Sequence, residues 1–274
     1  MSTSNAGAAA GIGTAFGDTA ALIGRHLRHL RRTPEKIIAV TLTPVTMVVV
    51  LGYLFASVVT VTGSGEYHDY VMAGVFAQVG LTCVGVAALG VAADLRTGLI
   101  DRFRSLPMGR STVLVSHTAA DLVTAATAVF AVTLAGLGVG WRIHHDLGSA
   151  ALGFVLVLAF AYAMLWLGAL FGMLMSNAEA INGISALFLV VLSFLSNSFM
   201  PLTGLPAWLR AVAEWNPVSL VAGACRELWG NAPTVTGDSL PDQHPVLLAV
   251  LVVAALLAVL VPVNLRVYRT AVVR

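Results

Sequence analysis

The sequence predicts an all-α, polytopic membrane protein with six transmembrane helices, and three observations lead to this fold class. The chain has 274 residues, of which 58% are hydrophobic and only 10% are charged, whereas soluble domains carry about 25% charged residues. Its mean hydropathy is +0.89. Six apolar runs are about as long as, or longer than, the roughly 20 residues that a helix needs to cross a bilayer. Since no soluble domain remains beside these runs, residues 16–274 are predicted to form a single transmembrane domain.

The six predicted spans follow one another with short connections, and the fifth is the weakest because Asn182, Ser193 and Ser196 dilute it. The runs cover Ile37–Val61, Tyr70–Ala93, Val113–Val139, Ala150–Met175, Ala180–Ser198 and Val246–Leu265.

The distribution of positive charge predicts the orientation of these spans. Twelve of the 15 Lys and Arg residues lie before span one, between spans two and three, or after span six. The other three, Arg142, Arg210 and Arg226, lie on the opposite side. Because positive residues concentrate on the cytoplasmic side, both termini are predicted to be cytoplasmic. The net charge of +2 is too small to favour binding to nucleic acid.

Two segments precede the first span. Residues 1–15 are small, polar and rich in Gly and Ala, which predicts a disordered tail rather than a signal peptide. The next segment, Phe16–Arg32, is predicted to be a basic amphipathic helix in the membrane interface. It serves either as a positively charged anchor or as an elbow that transmits movement into span one. Its apolar residues recur at helical spacing: Phe16, Ala20, Ile23, Leu27 and Leu30.

The connection between spans two and three, Asp94–Arg110, concentrates four arginines and two aspartates in seventeen residues. Pro107 and Gly109 are predicted to end a short helix there. This helix is either a solvated loop element whose arginines set the topology or a docking element for another protein. Its apolar face is formed at steps of four, four and three by Leu95, Leu99, Phe103 and Leu106.

The segment Phe199–Gly230 is apolar but interrupted by three prolines, Pro201, Pro206 and Pro217. Its pieces of 10–14 residues are too short to span, which is typical of re-entrant or interfacial helices. We expect a helical hairpin that dips into the outer leaflet, the alternative being an ordinary outer loop anchored by tryptophans. Asn231–Pro245 is polar and aperiodic and is predicted to be an exposed outer loop.

Several kinds of chemistry lack the residues that they require. A phosphate cradle needs a glycine-rich loop ending in Lys, but the only lysine, Lys36, follows "RRTPE". A membrane-embedded Ser–His nucleophile is not indicated, and no catalytic residue is predicted. His144, His145 and Asp146 are adjacent in a short, exposed loop. They are predicted to be solvent-facing polar residues of this loop rather than metal ligands. Cys83 and Cys225 are predicted to be free thiols that fill apolar space.

Polar residues inside the apolar runs are candidates for function. Asp121 lies well inside span three, and His117 is four residues earlier on the same helical face. They favour an intramembrane tether that holds span three to the charged connection, rather than a proton relay, which needs a chain of such groups. Residues that could face a pathway are Gln78, Phe194, Asn197, Phe199 and Met200.

Two stretches together resemble a known family. "DLRTGLIDRFRSLPMGRSTVLVSHTAAD" and "FMPLTGLPAWLRAVAEWNPVS", in a six-span plan with an N-terminal interfacial helix, are similar to the permease subunits of type 2 ABC exporters of the daunorubicin-resistance and polysaccharide-export kind. The resemblance covers most of the chain.

The resemblance implies partners and roles. Two copies of a separate ABC ATPase would bind ATP and Mg, so that this chain itself needs no cofactor, and a second permease chain, identical or homologous, would complete the assembly in a bacterial-type cell membrane. Phe16–Arg32 would be the connecting helix, and Trp208, Trp215, Asn216 and Pro217 would belong to an outer re-entrant gate. The coupling helix seated on the ATPase would present Arg96, Leu99, Asp101, Arg102, Phe103, Arg104 and Ser105.

The function expected from this resemblance is the export of an amphipathic or lipid-like compound, with antibiotic efflux favoured over lipid-linked polysaccharide export. Two rivals are an ion-coupled transporter acting alone and a membrane scaffold without cargo. The first would need paired charges at mid-depth and an internal repeat of span triplets. The second would share the cytoplasmic helix but would not need an outer hairpin.

Overall fold

The computed structural model describes residues 34–55, 67–96, 110–175, 177–232 and 239–271, and within these ranges its regular secondary structure is entirely helical. Long helices are α1 (Pro34–Val50, continued by a π-helical turn at Leu51–Phe55), α2 (Tyr67–Arg96), α3 (Arg110–Val139), α4 (Leu147–Leu174), α5 (Ala178–Phe194) and α9 (Pro245–Ala271). Short helices are a 3₁₀ turn (Leu202–Gly204), α6 (Ala207–Glu214), α7 (Pro217–Trp229) and α8 (Leu240–Gln243).

Four helices are long and apolar enough to cross a membrane: α2, α3, α4 and α9. Two shorter apolar helices, α1 and α5, correspond to predicted spans one and five. The all-helical class is therefore confirmed for the described part of the chain, whereas the count of six spans stays a prediction. The predicted tail 1–15, the interfacial helix Phe16–Arg32 and the coupling residues from Leu99 to Ser105 lie outside the described residues.

Helix α2 occupies the centre of the bundle and packs most extensively along α4. Two glycines of α4, Gly168 and Gly172, lie directly against α2, because a Cβ added at either position would collide with the main-chain carbonyl of Val84 or Ala88. This spacing of four residues brings one face of α4 close to its neighbour, as small residues do in membrane helix pairs. The α2–α4 pair is thus the frame on which the other helices pack.

Helix α5 packs on α2 but leaves most of its surface uncovered. Only Ile181 and Ser193 are buried along it. The helix ends at Phe194, four residues earlier than the predicted end of span five at Ser198. The physical reason is that the Asn216 side chain binds the carbonyls of Leu192 and Leu195, which a continuing helix would use for its own i to i+4 bonds.

The segment after α5 folds as two short helices, as predicted for Phe199–Gly230. Asn216 caps α7 by accepting a hydrogen bond from the amide of Val218, and Pro217 occupies the first helical position. Gly230 ends the helix with a φ of 75°, a left-handed conformation that glycine adopts without a steric penalty. Whether this hairpin re-enters a membrane stays a prediction.

Candidate functional site: two polar clusters at opposite ends of the bundle

A cluster of three ionisable side chains lies where α2 ends and α3 begins; we call His117, Asp121 and Asp94 the inner cluster. His117 Nδ1 lies 3.1 Å from an Asp121 carboxylate oxygen, and its Nε2 lies 3.4 Å from an Asp94 carboxylate oxygen. His117 and Asp121 are buried, whereas the Asp94 side chain is 40% exposed. One imidazole therefore lies between carboxylates from two different helices.

The packing around His117 holds its ring in place. Gly90 of α2 lies against one edge of the ring, because a Cβ added there would be 3.0 Å from His117 Cε1 and 3.1 Å from Nε2. Tyr268 of α9 is buried and close enough to Asp94 for an electrostatic interaction. Three helices thus meet at this end of the bundle.

The chemistry of the inner cluster depends on the proton count of the imidazole. A neutral imidazole carries one N–H and can donate to one of the two carboxylates, whereas an imidazolium can donate to both. The cluster can therefore link α2 to α3 with a strength that changes with the charge of His117. The predicted approach of His117 to Asp121 is present at ion-pair distance, although the two closest atoms do not have hydrogen-bond geometry. Asp94 is the second carboxylate near the ring, and the role of the cluster as a tether stays a prediction.

A second cluster surrounds Arg226 at the other end of α2; we call Arg226, Tyr67, Tyr70, Asn216 and Ser219 the outer cluster. Tyr70 and Asp94 are 24 residues apart on α2, which at 1.5 Å per residue separates the two clusters by about 36 Å. The Arg226 side chain is only 2% exposed. In the sequence this arginine lies in an apolar segment that prolines interrupt, and the sequence does not predict its burial.

The guanidinium of Arg226 binds main-chain carbonyls from two separate elements. Its Nε donates to the carbonyl of Tyr70 at 2.9 Å, at the start of α2. Its Nη2 donates to the carbonyls of Asn197 at 2.8 Å and Ser198 at 3.2 Å, in the segment after α5. The guanidinium carbon also lies 3.7 Å from the centre of the Tyr70 ring, a cation–π contact.

The two tyrosines of α2 bind the same segment. The Tyr70 hydroxyl donates to the carbonyl of Asn197 at 2.8 Å, and the Tyr67 hydroxyl donates to that of Phe199 at 2.9 Å. The carbonyls of three consecutive residues, 197 to 199, therefore accept hydrogen bonds from Arg226, Tyr70 or Tyr67.

Asn216 and Ser219 attach the start of α7 to the end of α5. Asn216 Nδ2 donates to the carbonyls of Leu192 at 2.9 Å and Leu195 at 2.6 Å. The Ser219 hydroxyl donates to the carbonyl of Ala213 at 2.5 Å and accepts from the amide of Asn197 at 3.0 Å. Asn216 and Pro217, both expected in an outer gate, thus lie at the junction of α5, α6 and α7.

A group of aromatic rings packs around Trp229, which lies three residues after Arg226 on α7. Trp229 packs against Phe76, Trp141 and Phe154 with ring centroids 4.9 to 5.3 Å apart. Among the tryptophans that could anchor this segment at the membrane boundary, Trp229 does not do so, because its side chain is fully buried in the core. By contrast Trp208 and Trp215 are 71% and 52% exposed, as an interfacial position requires.

The expected pathway residues do not form one surface. Gln78 and Phe199 are buried, whereas Phe194 and Met200 are exposed. Asn197 belongs to the segment held by Arg226, and the ring of Phe194 is 6.0 Å from that of Phe199. Arg96, the one coupling residue that the structure describes, is exposed at the last position of α2.

The structure also places the remaining candidates. Both cysteines are buried free thiols, as predicted. Asp146 caps α4 by accepting hydrogen bonds from the amides of Gly148 and Ser149 and from the Ser149 hydroxyl, and these bonds lower the pKa of its carboxyl. His144 Nδ1 lies 2.8 Å from the Asn231 side-chain oxygen. In the residues described, no group of three or more potential metal ligands occurs.

Arg226 could have been recognised from a helical pattern. Ser219, Ala222, Arg226 and Trp229 are spaced by three, four and three residues, which places them on one face of α7. All four are buried. An arginine on the same helical face as small and aromatic residues indicates that the arginine is buried. The sequence does not predict which groups it binds.

Comparison with known proteins agrees with the resemblance seen in the sequence. Residues 18–228 match the family described as ABC-2 type transporter. The chain is also similar to the daunorubicin resistance ABC transporter permease protein DrrB1 of Streptomyces coeruleorubidus, with 26% identity over 256 residues, 93% of this chain and 87% of that protein. Both polar clusters lie within the matched region.

Proposed function

Because the chain belongs to the ABC-2 type transporter family, we propose that it is the permease subunit of an ATP-driven exporter that moves an amphipathic or lipid-like compound, of the antibiotic class, out of the cell. The observation that carries this proposal is the similarity to a daunorubicin resistance permease along nearly the whole of both chains. Two ATPase subunits would supply the energy, and a second permease chain, identical or homologous, would complete the translocation unit. The chain itself performs no catalysis in this proposal.

The architecture proposed is a six-span domain in the cell membrane with both termini in the cytoplasm. The four long apolar helices and the two shorter ones, α1 and α5, supply the six spans. The hairpin of α6 and α7 lies in the outer leaflet, where the exposed Trp208 and Trp215 favour the boundary with water. With this orientation the inner cluster faces the cytoplasm and the outer cluster faces the exterior.

The inner cluster supports a role for the charged connection in energy coupling. Residues 97–109 join α2 to α3, and the contacts of His117 fasten the same two helices immediately beside that connection. A force applied to this connection by an ATPase would therefore move the ends of α2 and α3 together. The coupling contacts would be made by Arg96, Leu99, Asp101, Arg102, Phe103, Arg104 and Ser105.

Export would proceed by an exchange between inward-open and outward-open arrangements of the spans. The apolar side chains of α5, including Phe194, and the nearby Met200 suit the apolar part of an amphipathic cargo. Gln78 of α2, with Asn197 and Phe199 of the segment after α5, would supply polar and aromatic contacts to cargo in the open arrangement. A conformational exchange of this kind requires a closed outer end in one state, a role that suits the hairpin with Asn216 and Pro217 at its base.

The proposal is tested by binding and by transport. The chain is purified with a candidate soluble ABC ATPase, and inside-out vesicles are assayed for ATP-dependent uptake of fluorescent daunorubicin. Arg102→Glu with Arg104→Glu is expected to abolish ATPase binding and uptake, because the two charges that would face the ATPase are reversed. Arg210→Glu, a charge reversal in the outer hairpin, is the matched control and is expected to retain ATPase binding.

Two outcomes would count against the proposal. Uptake driven by an ion gradient without an ATPase would support the ion-coupled alternative. ATPase binding without uptake of daunorubicin, but with ATP-dependent transfer of a lipid-linked saccharide, would support polysaccharide export.

A further inference from the structure

We propose that Arg226 is the positioning residue of the outer gate: its guanidinium holds the segment of residues 196–199 closed against the first turn of α2, and the outer end opens when this contact is released. The inference rests on the proposed function, since a gate is needed only if cargo leaves through this end. It assigns to one buried arginine a role that the family match does not define.

The geometry of Arg226 supports this role because one side chain joins three elements. The residue belongs to α7, and its donors reach the Tyr70 carbonyl on α2 and the carbonyls of Asn197 and Ser198 after α5. A planar guanidinium with several donors can hold such a set of acceptors in one arrangement, which lysine, a point charge, cannot do. Removal of this side chain would take away the contact that all three elements share and leave the segment held by the bonds of Tyr67, Tyr70 and Ser219.

The charge of Arg226 favours a contact that can open. Among the residues that the structure describes, Arg226 contacts carbonyl oxygens and the Tyr70 ring, and no carboxylate forms an ion pair with it. Burial of a cation without a counter-ion is costly, and carbonyl dipoles and a ring face offset only part of the desolvation. An open state in which water reaches the guanidinium recovers part of this desolvation cost, so the contact both holds the closed arrangement and can be released.

The segment that Arg226 holds is suited to detachment. Its backbone lies directly on α2 at Gly74, because a Cβ added to Gly74 would collide with the main chain of Ser198. The hydroxyls of Ser196 and Ser198 hydrogen-bond to each other within the segment. Ser196, Asn197 and Ser198 are polar, so that water can replace their contacts once the segment leaves α2.

The test uses thiol accessibility in the permease alone, without ATPase or cargo. Ser198→Cys is introduced into a background that carries Cys83→Ala and Cys225→Ala, and labelling by a membrane-impermeant maleimide is timed in right-side-out vesicles. In this background labelling is expected to be slow because Ser198 is buried. Addition of Arg226→Gln is expected to accelerate labelling about tenfold or more, since the loss of even one hydrogen bond to a charged group shifts an equilibrium by at least this factor.

Three further variants separate a local gate from a general loss of folding. Gly74→Ala, with Arg226 intact, is expected to accelerate labelling in the same way because it forces the segment off α2. Arg210→Gln, at a half-buried arginine of the same hairpin that pairs with Glu214 at 2.7 Å, is expected to leave labelling unchanged. The native Cys83, kept as the only thiol beside Arg226→Gln, is expected to stay unreactive because it is buried in the middle of α2.

Unchanged labelling in both Arg226→Gln and Gly74→Ala would overturn the inference, and so would a parallel increase at Cys83. With the ATPase present, the loss of the gate is expected to leave ATP hydrolysis running while daunorubicin export per ATP falls. If export is absent even in the wild-type chain while labelling responds as expected, the proposed function fails and the gate contact stands. If export is intact and labelling does not respond, only the gate contact fails.

Discussion

The inner cluster pairs side chains with side chains, whereas the outer cluster pairs side chains with main-chain carbonyls. At the inner end, His117 and Asp121 are four residues apart on α3, and His117 also approaches Asp94 of the preceding helix, α2. At the outer end, the hydrogen bonds of Arg226 and Tyr70 join residues from 28 to 156 positions apart in the chain. The inner cluster therefore joins ionisable side chains of two consecutive helices, and the outer cluster joins elements that are far apart in the chain.

This difference indicates different uses for the two ends. Carboxylate–imidazole pairs change with the proton count and tolerate small displacements, which suits a link between two helices that move together. A guanidinium bound to fixed carbonyls demands one arrangement of the backbone, which suits a contact that is either made or broken. Both clusters are attached to α2, so the helix that carries them is the element through which the ends can influence each other.

The largest effect is expected when the frame that supports both clusters is disturbed. Gly172→Leu places a side chain against the Ala88 carbonyl and is expected to lower the free energy of unfolding by about 3 kcal/mol, at the upper end for overpacked interiors. Thermal unfolding of the purified protein in detergent measures the change. Gly183→Ala is the control, because an added Cβ there has no atom within 4 Å, and its unfolding temperature is expected to stay equal or rise.

Removal of one carboxylate from the inner cluster is expected to have the next largest effect. Asp121→Ala leaves buried His117 without its nearest carboxylate, at a cost of about 1–3 kcal/mol. A double-mutant cycle of Asp121→Ala with His117→Ala is expected to show positive coupling, because the two side chains approach to 3.1 Å in a buried site. Additive effects would show that this approach stabilises nothing.

Removal of a single hydroxyl from the outer cluster is expected to cost less. Tyr70→Phe removes the bond to the Asn197 carbonyl but keeps the ring under Arg226, so a loss of about 1 kcal/mol is expected. No change between pH 6 and pH 8 is expected, since neither tyrosine nor arginine normally titrates there. A loss as large as that caused by Asp121→Ala would remove the distinction between the two ends.

The smallest effect is expected at Asp146, which lies in neither cluster. Hydrogen bonds from Ser149 and Gly148 lower the pKa of its carboxyl in the folded protein. The unfolded carboxyl therefore binds protons more readily, so the stabilisation is present above the unfolded pKa and is lost as the pH falls through the folded one. Asp146→Asn keeps an N-cap side chain and is expected to differ from the wild type only by a flatter dependence of the unfolding temperature below pH 5.

The sequence carried more information about the inner cluster than about the outer one. The spacing of His117 and Asp121 follows from the helical period alone, and Asp94 lies within the charged stretch that was singled out. The apolar runs likewise indicated the long helices, with boundaries that differ by a few residues. The end of α5 was misjudged because Asn216, more than twenty residues later, takes the carbonyls that would have continued the helix.

The amino-acid sequence by itself determined the helical class, the apolar segments and the ionisable pair of α3, because each depends on composition or on a period of a few residues. Only the tertiary structure decided that Arg226 and Trp229 are buried and that Arg226 binds the segment after α5. These contacts depend on which face of α7 meets α2, and that choice is made by the packing of elements far apart in the chain. Every residue has a main-chain carbonyl, so the residue types do not reveal which carbonyls accept hydrogen bonds. The contacts of the outer cluster are therefore seen only in the folded molecule.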